Sequence, residues 1–139
     1  MSVEPQGEMA PEAAPESTRT TESGISILRM EDGKLFTSMG STMRFVVWPG
    51  VGLDTVTMHQ LVMEPGDEFA NHVHEKSVDI ISVVQGSGVL ITDGVEHRIQ
   101  KGDVVYVPPG VDHGMRNDGE ETLISVDSQA PPDPAIYRR

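Results

Sequence analysis

Short apolar runs rich in β-branched residues, separated by turn-forming residues, characterise the chain from Ile25 onward. No window shows ten or more residues of the 3.6-residue periodicity expected of an amphipathic helix. The runs predict strands at residues 25–30, 35–38, 43–47, 55–63, 78–84, 88–92, 96–99, 104–107, 113–116 and 122–126. Asp93-Gly94 between two of these runs predicts a tight hairpin. Many short strands in close succession predict an all-β protein, either a sandwich or a closed barrel.

Residues 1–24 have a different composition, rich in Pro, Glu, Ala, Ser and Thr and poor in large apolar side chains. Such a segment buries too little surface to offset the entropy lost on ordering. We therefore predict a disordered acidic tail over residues 1–24 and one folded domain over residues 25–139. The proline-rich residues 130–134 cannot continue a central strand, so they are expected to cross the surface or reach a partner subunit.

Composition excludes several classes of function. The 139-residue chain has no cysteine, which rules out disulfides, thiolate metal ligands and cysteine catalysis. Its formal net charge of −12 repels nucleic acid and anionic membranes, so neither is an expected partner. No apolar run approaches the roughly 20 residues of a membrane helix, and the N-terminus lacks the pattern of a signal peptide. These features favour a cytoplasmic protein.

The histidine pattern is the main indication of chemistry. His72 and His74 are two residues apart, so their imidazoles share one face of a strand. Asp79 shares the inward face of the next run if that run pairs back antiparallel, and His113 follows the turn at 108–110. Three inward imidazoles without a metal would be costly buried polar groups. The pattern therefore predicts a metal site formed by His72, His74, Asp79 and His113.

Two segments resemble the signature motifs of the cupin superfamily. The first motif has Gly, His-x-His, Glu and Gly at set spacings, and the chain matches it at Gly66, His72, His74 and Gly86, with Asp79 in place of Glu. The second motif is matched at every named position, by Gly102, Pro108, Gly110, His113 and Asn117. The resemblance implies a single-domain double-stranded β-helix, the cupin-type jelly roll, that binds one divalent metal ion per chain.

Asp79 is the departure from this pattern, because aspartate has roughly 1.5 Å less reach than glutamate. It could bind the ion directly, act through a bridging water, or accept a hydrogen bond that holds a histidine ring. A mixed histidine–carboxylate set favours Fe(II) or Mn(II), with Zn(II) and Ni(II) as further candidates. Three histidines alone would suit Zn(II) or Cu(II) as well as iron.

Fold and metal do not determine the reaction. The favoured hypothesis is a non-haem metal-dependent oxygenase acting on a small oxygen-bearing organic molecule. One alternative is a redox-neutral isomerase, cyclase, decarboxylase or lyase, in which His59, Glu68 or Tyr106 moves the proton. The other alternative is a non-catalytic module that binds a small ligand.

Two further expectations concern assembly and local structure. Small barrels leave sheet edges exposed, so we expect a homodimer in which residues 25–38 or 127–139 cross between subunits. Asn117 is expected to cap a turn rather than to contact a substrate.

Overall fold

The computed structural model describes residues 13–38 and 40–135, which contain twelve β-strands and two short 3-10 turns. The turns are Met30–Asp32 and Pro49–Val51. The strands are β1 (Arg19–Thr20), β2 (Ser26–Ile27), β3 (Lys34–Ser38), β4 (Ser41–Val47), β5 (Thr57–Met63), β6 (Glu68–His72), β7 (Val78–Gln85), β8 (Ser87–Thr92), β9 (Val95–Gln100), β10 (Val104–Val107), β11 (His113–Arg116) and β12 (Leu123–Ala130).

Two antiparallel sheets supply the core. One has six strands in the order β10-β7-β12-β5-β4-β3, and the other has four strands in the order β6-β11-β8-β9. Burial alternates along β5 and β12, so every second side chain of these strands faces the interior. The interior is filled by apolar side chains from both sheets, which include Met43, Phe45, Leu61, Met63, Phe69, Ile99 and Met115, and by Trp48 from the connection after β4. The predicted all-β architecture is confirmed.

Among the described residues, no helix has the length and apolar character needed to cross a membrane.

The structure differs from the prediction at the start of the chain. Residues 1–12 of the predicted disordered tail lie outside the described residues, but β1 falls within its remaining part. β1 pairs with β2 through a hairpin, in which the backbone NH of Thr21 donates to the Ile25 carbonyl. Gly24 at the turn has a φ of 92°, which glycine adopts without strain. The strand predicted at 25–30 is accordingly reduced to Ser26–Ile27.

Two strands in the domain also differ from the prediction. β6 is absent from the predicted set because Phe69 is its one large apolar side chain, and the strand lies at the edge of its sheet. β12 extends to Ala130, four residues beyond the predicted end. Its last inward-facing residues are Asp127 and Gln129, whose polar character hides the alternation from a hydrophobicity pattern.

Asn117 has the structural role expected from the sequence. Its side-chain amide donates to the carbonyls of Met63 and Glu121 at 2.9 Å each, and its oxygen accepts from the NH of Gly119 at 3.0 Å. The residue is fully buried. It therefore ties the end of β5 to the turn between β11 and β12.

We expect Asn117→Ala to lower the free energy of unfolding by about 2–4 kcal/mol, since it leaves buried backbone groups unsatisfied. Urea denaturation followed by circular dichroism measures this change. The control is Gln100→Ala, which removes an exposed amide on β9 and should change stability by less than about 0.5 kcal/mol. Equal stability of the two variants would contradict the structural role of Asn117.

Candidate metal centre

Residues from three strands and one connection meet inside the fold. His72 ends β6 and His74 follows it in the connection to β7, while Asp79 lies on β7 and His113 begins β11. Because β6 and β11 are paired with His72 opposite His113, these two rings are neighbours. One ligand atom from each of the four residues lies within 4.8 Å of every other. The structure thus brings together all four residues that the sequence selects as metal ligands.

The shorter reach of Asp79 does not keep it out of the cluster. Its Oδ2 lies 3.3 Å from Nε2 of His113 and 3.9 Å from Nε2 of His74. Ligand atoms bound at roughly 2.0–2.2 Å to one ion are at most about 4.4 Å apart. A small tightening of the cluster would therefore place all four donors on the same ion.

The Nδ1 atom of each histidine already has an acceptor. His72 and His113 contact the carbonyls of Ala70 and Val111 at 2.7 and 3.0 Å, and His74 contacts Oδ2 of Asp133 at 2.7 Å. Carbonyl and carboxylate oxygens only accept, so Nδ1 carries the proton in each ring. The lone pair of a neutral ring is then on Nε2, the atom that faces the other ligands.

Asp79 provides a test of whether the residues fit a metal ion. Asp79 is 6% exposed, and its Oδ1 is buried without any hydrogen-bond partner. An unpaired carboxylate oxygen in such a position is costly unless a cation compensates it. Three imidazoles and one carboxylate are also donors that divalent transition metals accept. The cluster could therefore hold a metal ion.

The pKa values of His72 and His113 are shifted in opposite directions by their surroundings. Burial lowers the pKa of His72 from 6.5 to about 4, and the neighbouring rings of His113 and His74 act in the same direction. Burial also acts to lower the pKa of His113, but hydrogen bonds with Asp79 and the Val111 carbonyl outweigh it, so this pKa is raised. His72 is thus uncharged at neutral pH, whereas a proton competes with a metal ion for His113.

His59 does not belong to the four-residue cluster, but it faces the same interior. It is 5% exposed, and its ring stacks on Phe45 with centroids 4.6 Å apart. Its Nε2 lies 3.3 Å from Oδ2 of Asp127, outside hydrogen-bond geometry, and neither ring nitrogen has a hydrogen-bond partner. Asp127 in turn accepts a 2.7 Å hydrogen bond from Ser125. His59 and Asp127 are therefore a buried pair of titratable groups.

The other two candidates for proton transfer lie elsewhere. Glu68 is exposed on β6, because the next residue, Phe69, is the one that faces the interior. Tyr106 is 62% exposed on β10, where Val107 occupies the buried position. The structure does not bring either side chain to the four-residue cluster.

Two acidic residues near the site are absent from the sequence-based set. Asp127 could have been found by extending the alternation of strand 122–126 by a few residues, which would have placed it on the inward face. Asp133 gives no such signal, because it lies in a proline-rich segment and its contact with His74 joins residues far apart in the chain.

Comparison with known proteins agrees with this architecture. A family model described as a cupin domain matches residues 59–127. Among curated relatives, an uncharacterized protein of Methanocaldococcus jannaschii is 26% identical over 113 residues, covering 78% of this chain and 90% of the relative. The tetracenomycin polyketide synthase protein TcmJ of Streptomyces glaucescens is 26% identical over 80 residues, covering 58% and 54%.

Solved structures show the same fold. A predicted oxalate decarboxylase from Thermotoga maritima superposes with a TM-score of 0.67 at 19% identity, covering 76% of this chain and 99% of that one. An RmlC-like cupin from Shewanella frigidimarina gives a TM-score of 0.61 at 23% identity, covering 73% and 86%. The predicted double-stranded β-helix is confirmed, and the chain belongs to the cupin superfamily.

Proposed function

We propose that this protein is a metal-dependent cupin enzyme that carries out redox-neutral proton-transfer chemistry on a small organic molecule with two neighbouring oxygen atoms. The observation that carries the proposal is the buried pair of His59 and Asp127, which faces the same interior as the metal ligands. A purely structural histidine in such a place would normally have its ring nitrogens hydrogen-bonded.

The sheet register supports a short separation between the pair and the cluster. Asp127 on β12 is opposite His59 on β5 and opposite Ile81 on β7. Asp79 lies two residues before Ile81 on β7, so both side chains are on the same face of the sheet. Asp79 is therefore a diagonal neighbour of Asp127. Diagonal neighbours in an antiparallel sheet are about 7–8 Å apart. One small molecule can span that distance.

The surroundings of His59 suit a group that accepts and returns a proton. Stacking on Phe45 holds the plane of the ring, and Oδ2 of Asp127 lies 3.3 Å from its Nε2. Ser125 fixes one oxygen of that carboxylate by donating to it. The interior position excludes bulk water, so the proton passes between the substrate and a ring nitrogen of His59.

His72, His74, Asp79 and His113 would hold the divalent ion. When bound, the ion supplies a Lewis acid that polarises a substrate carbonyl. The relative named as a tetracenomycin polyketide synthase protein supports carbonyl-rich substrates, so β-dicarbonyl compounds come first among those to test. Short oxo and hydroxy acids follow, because they too present two oxygens.

The donor set also favours a second candidate function, a non-haem metal oxygenase. His72, His74, Asp79 and His113 form a set that could hold Fe(II), and that ion would supply oxygen-dependent chemistry. The two candidates use the same ligands and differ in their need for oxygen.

The proposal can be tested by reconstituting metal-free protein separately with Zn(II), Mn(II) and Fe(II), both under nitrogen and in air. Each form is offered the β-dicarbonyl, oxo-acid and hydroxy-acid panel, with products followed by mass spectrometry and oxygen by electrode. Turnover with Zn(II) or Mn(II) under nitrogen supports redox-neutral chemistry. Turnover that requires Fe(II) and consumes oxygen supports the oxygenase, and binding without turnover supports a small-ligand-binding module.

A further inference from the structure

His74 differs from the other two histidines of the centre in how its ring is held. His72 and His113 each contact a backbone carbonyl two residues earlier, whereas His74 contacts the carboxylate of Asp133. His74 also lies beyond the end of β6, so its backbone is outside the sheet ladder. The carbonyl of His74 accepts one hydrogen bond, from the NH of Gly110 at 2.8 Å. The orientation of this ring therefore depends on a partner from outside its strand.

Asp133 belongs to a segment that we call the C-terminal strap, residues 130–135. Ser77 donates to the Pro131 carbonyl at 2.6 Å, and the backbone NH of Asp133 donates to Oε1 of Gln129 at 2.8 Å. The NH of Ala135 donates at 3.0 Å to Oδ1 of Asp133. Both oxygens of the Asp133 carboxylate are thus used, one within the strap and one on His74. The strap lies against the connection between β6 and β7.

We infer that Asp133 is a positioning residue of the metal centre and that it links the C-terminal strap to metal binding. Its carboxylate keeps the proton of His74 on Nδ1 and turns Nε2 toward the other three ligands. Its negative charge also makes the ring a stronger donor to a cation. This inference rests on the proposed metal site, which does not by itself require any residue beyond 113.

The link acts in both directions. If the strap holds His74 in the geometry that binds the ion, then the bound ion must hold the strap to the same degree. Metal binding should therefore slow backbone exchange in the strap, although none of its residues contributes a ligand atom to the cluster of four.

Zn(II) affinity, measured by chelator competition, tests the role of the carboxylate. We expect Asp133→Asn to weaken Zn(II) binding by about 10- to 100-fold, and Asp133→Glu to recover part of this loss. Glu120→Gln makes the same change of charge on an exposed loop and should leave the affinity within about twofold. Ser77→Ala loosens the strap but keeps the carboxylate, so its loss should be smaller than that of Asp133→Asn.

Hydrogen exchange of the peptide that contains residues 129–135 supplies the second measurement. Saturating Zn(II) should slow exchange in the wild-type protein and should have little effect in Asp133→Asn, with circular dichroism checking that both are folded. Wild-type affinity in Asp133→Asn, or equal losses in Asp133→Asn and Ser77→Ala, would overturn the role of the carboxylate. Unchanged strap exchange in Zn(II)-loaded wild-type protein would overturn the link. A wild-type protein that binds no Zn(II), Mn(II) or Fe(II) would instead remove the metal site and this inference together.

Discussion

His113→Ala is expected to weaken binding of Zn(II) or Mn(II) by more than about 100-fold. Removing the hydrogen-bond partner of a metal ligand typically weakens metal binding by about 10- to 100-fold, and removing the ligand itself should weaken it more. His113 approaches two other residues of the cluster closely, with Nε2 3.3 Å from Oδ2 of Asp79 and its ring centroid 4.4 Å from that of His72. Its removal also leaves Asp79 without its nearest cationic or hydrogen-bonding neighbour. Isothermal titration of metal-free protein measures the effect.

The control for this variant is His97→Ala. His97 is exposed on β9, so its loss removes an imidazole without touching the cluster. It should bind the ion as tightly as the unmodified protein, with one site per chain. If His113→Ala bound the ion as tightly as the unmodified protein while His97→Ala did not, the ion would have to bind at an exposed histidine. That result would contradict an interior metal site.

His59→Gln should lower turnover of an identified substrate by about 10²- to 10⁴-fold, which is the usual contribution of a general acid or base. Metal affinity should stay within about twofold, since His59 supplies no ligand atom to the cluster. Glutamine fills a similar volume and keeps a polar end, so the interior remains packed. The turnover number and Zn(II) affinity of the same sample separate loss of catalysis from loss of the ion.

A parallel His97→Gln variant makes the same replacement at an exposed position and should retain full turnover. Turnover by Asp127→Asn should fall between those of His59→Gln and His97→Gln, because this variant keeps the His59 ring but removes the carboxylate that lies 3.3 Å from it. Full turnover in His59→Gln would contradict a catalytic role for His59. The residue would then contribute only to packing, and another group would have to transfer the proton.

The four residues of the cluster could be predicted because their positions follow local rules. The spacing of His72 and His74 puts both rings on one side of a strand, and alternation along β7 puts Asp79 inward with Ile81. The same alternation, applied to the neighbours Phe69 and Val107, would have placed Glu68 and Tyr106 on the outside. Their chemistry suggested a role that their position in the strand does not support.

The partners of His59 and His74 could not be read from local pattern. Asp127 meets His59 because β12 pairs with β5, and strand pairing of this kind depends on the whole topology. Asp133 meets His74 only after the chain has turned back over the connection between β6 and β7. Strands β1 and β6 are absent from the predicted set for a related reason, since a strand at an edge buries few side chains and has a weak hydrophobic pattern.

The central place of β12 in the six-stranded sheet has a consequence for biosynthesis. β5 and β7 are each paired with β12 and not with one another, so they leave the ribosome before the strand that joins them. A nascent chain that ends before Leu123 holds Asp79 and all three histidines of the cluster but cannot complete this sheet. Completion of the six-stranded sheet should therefore follow synthesis of β12, and an ion that the cluster binds should have little influence on folding before that point.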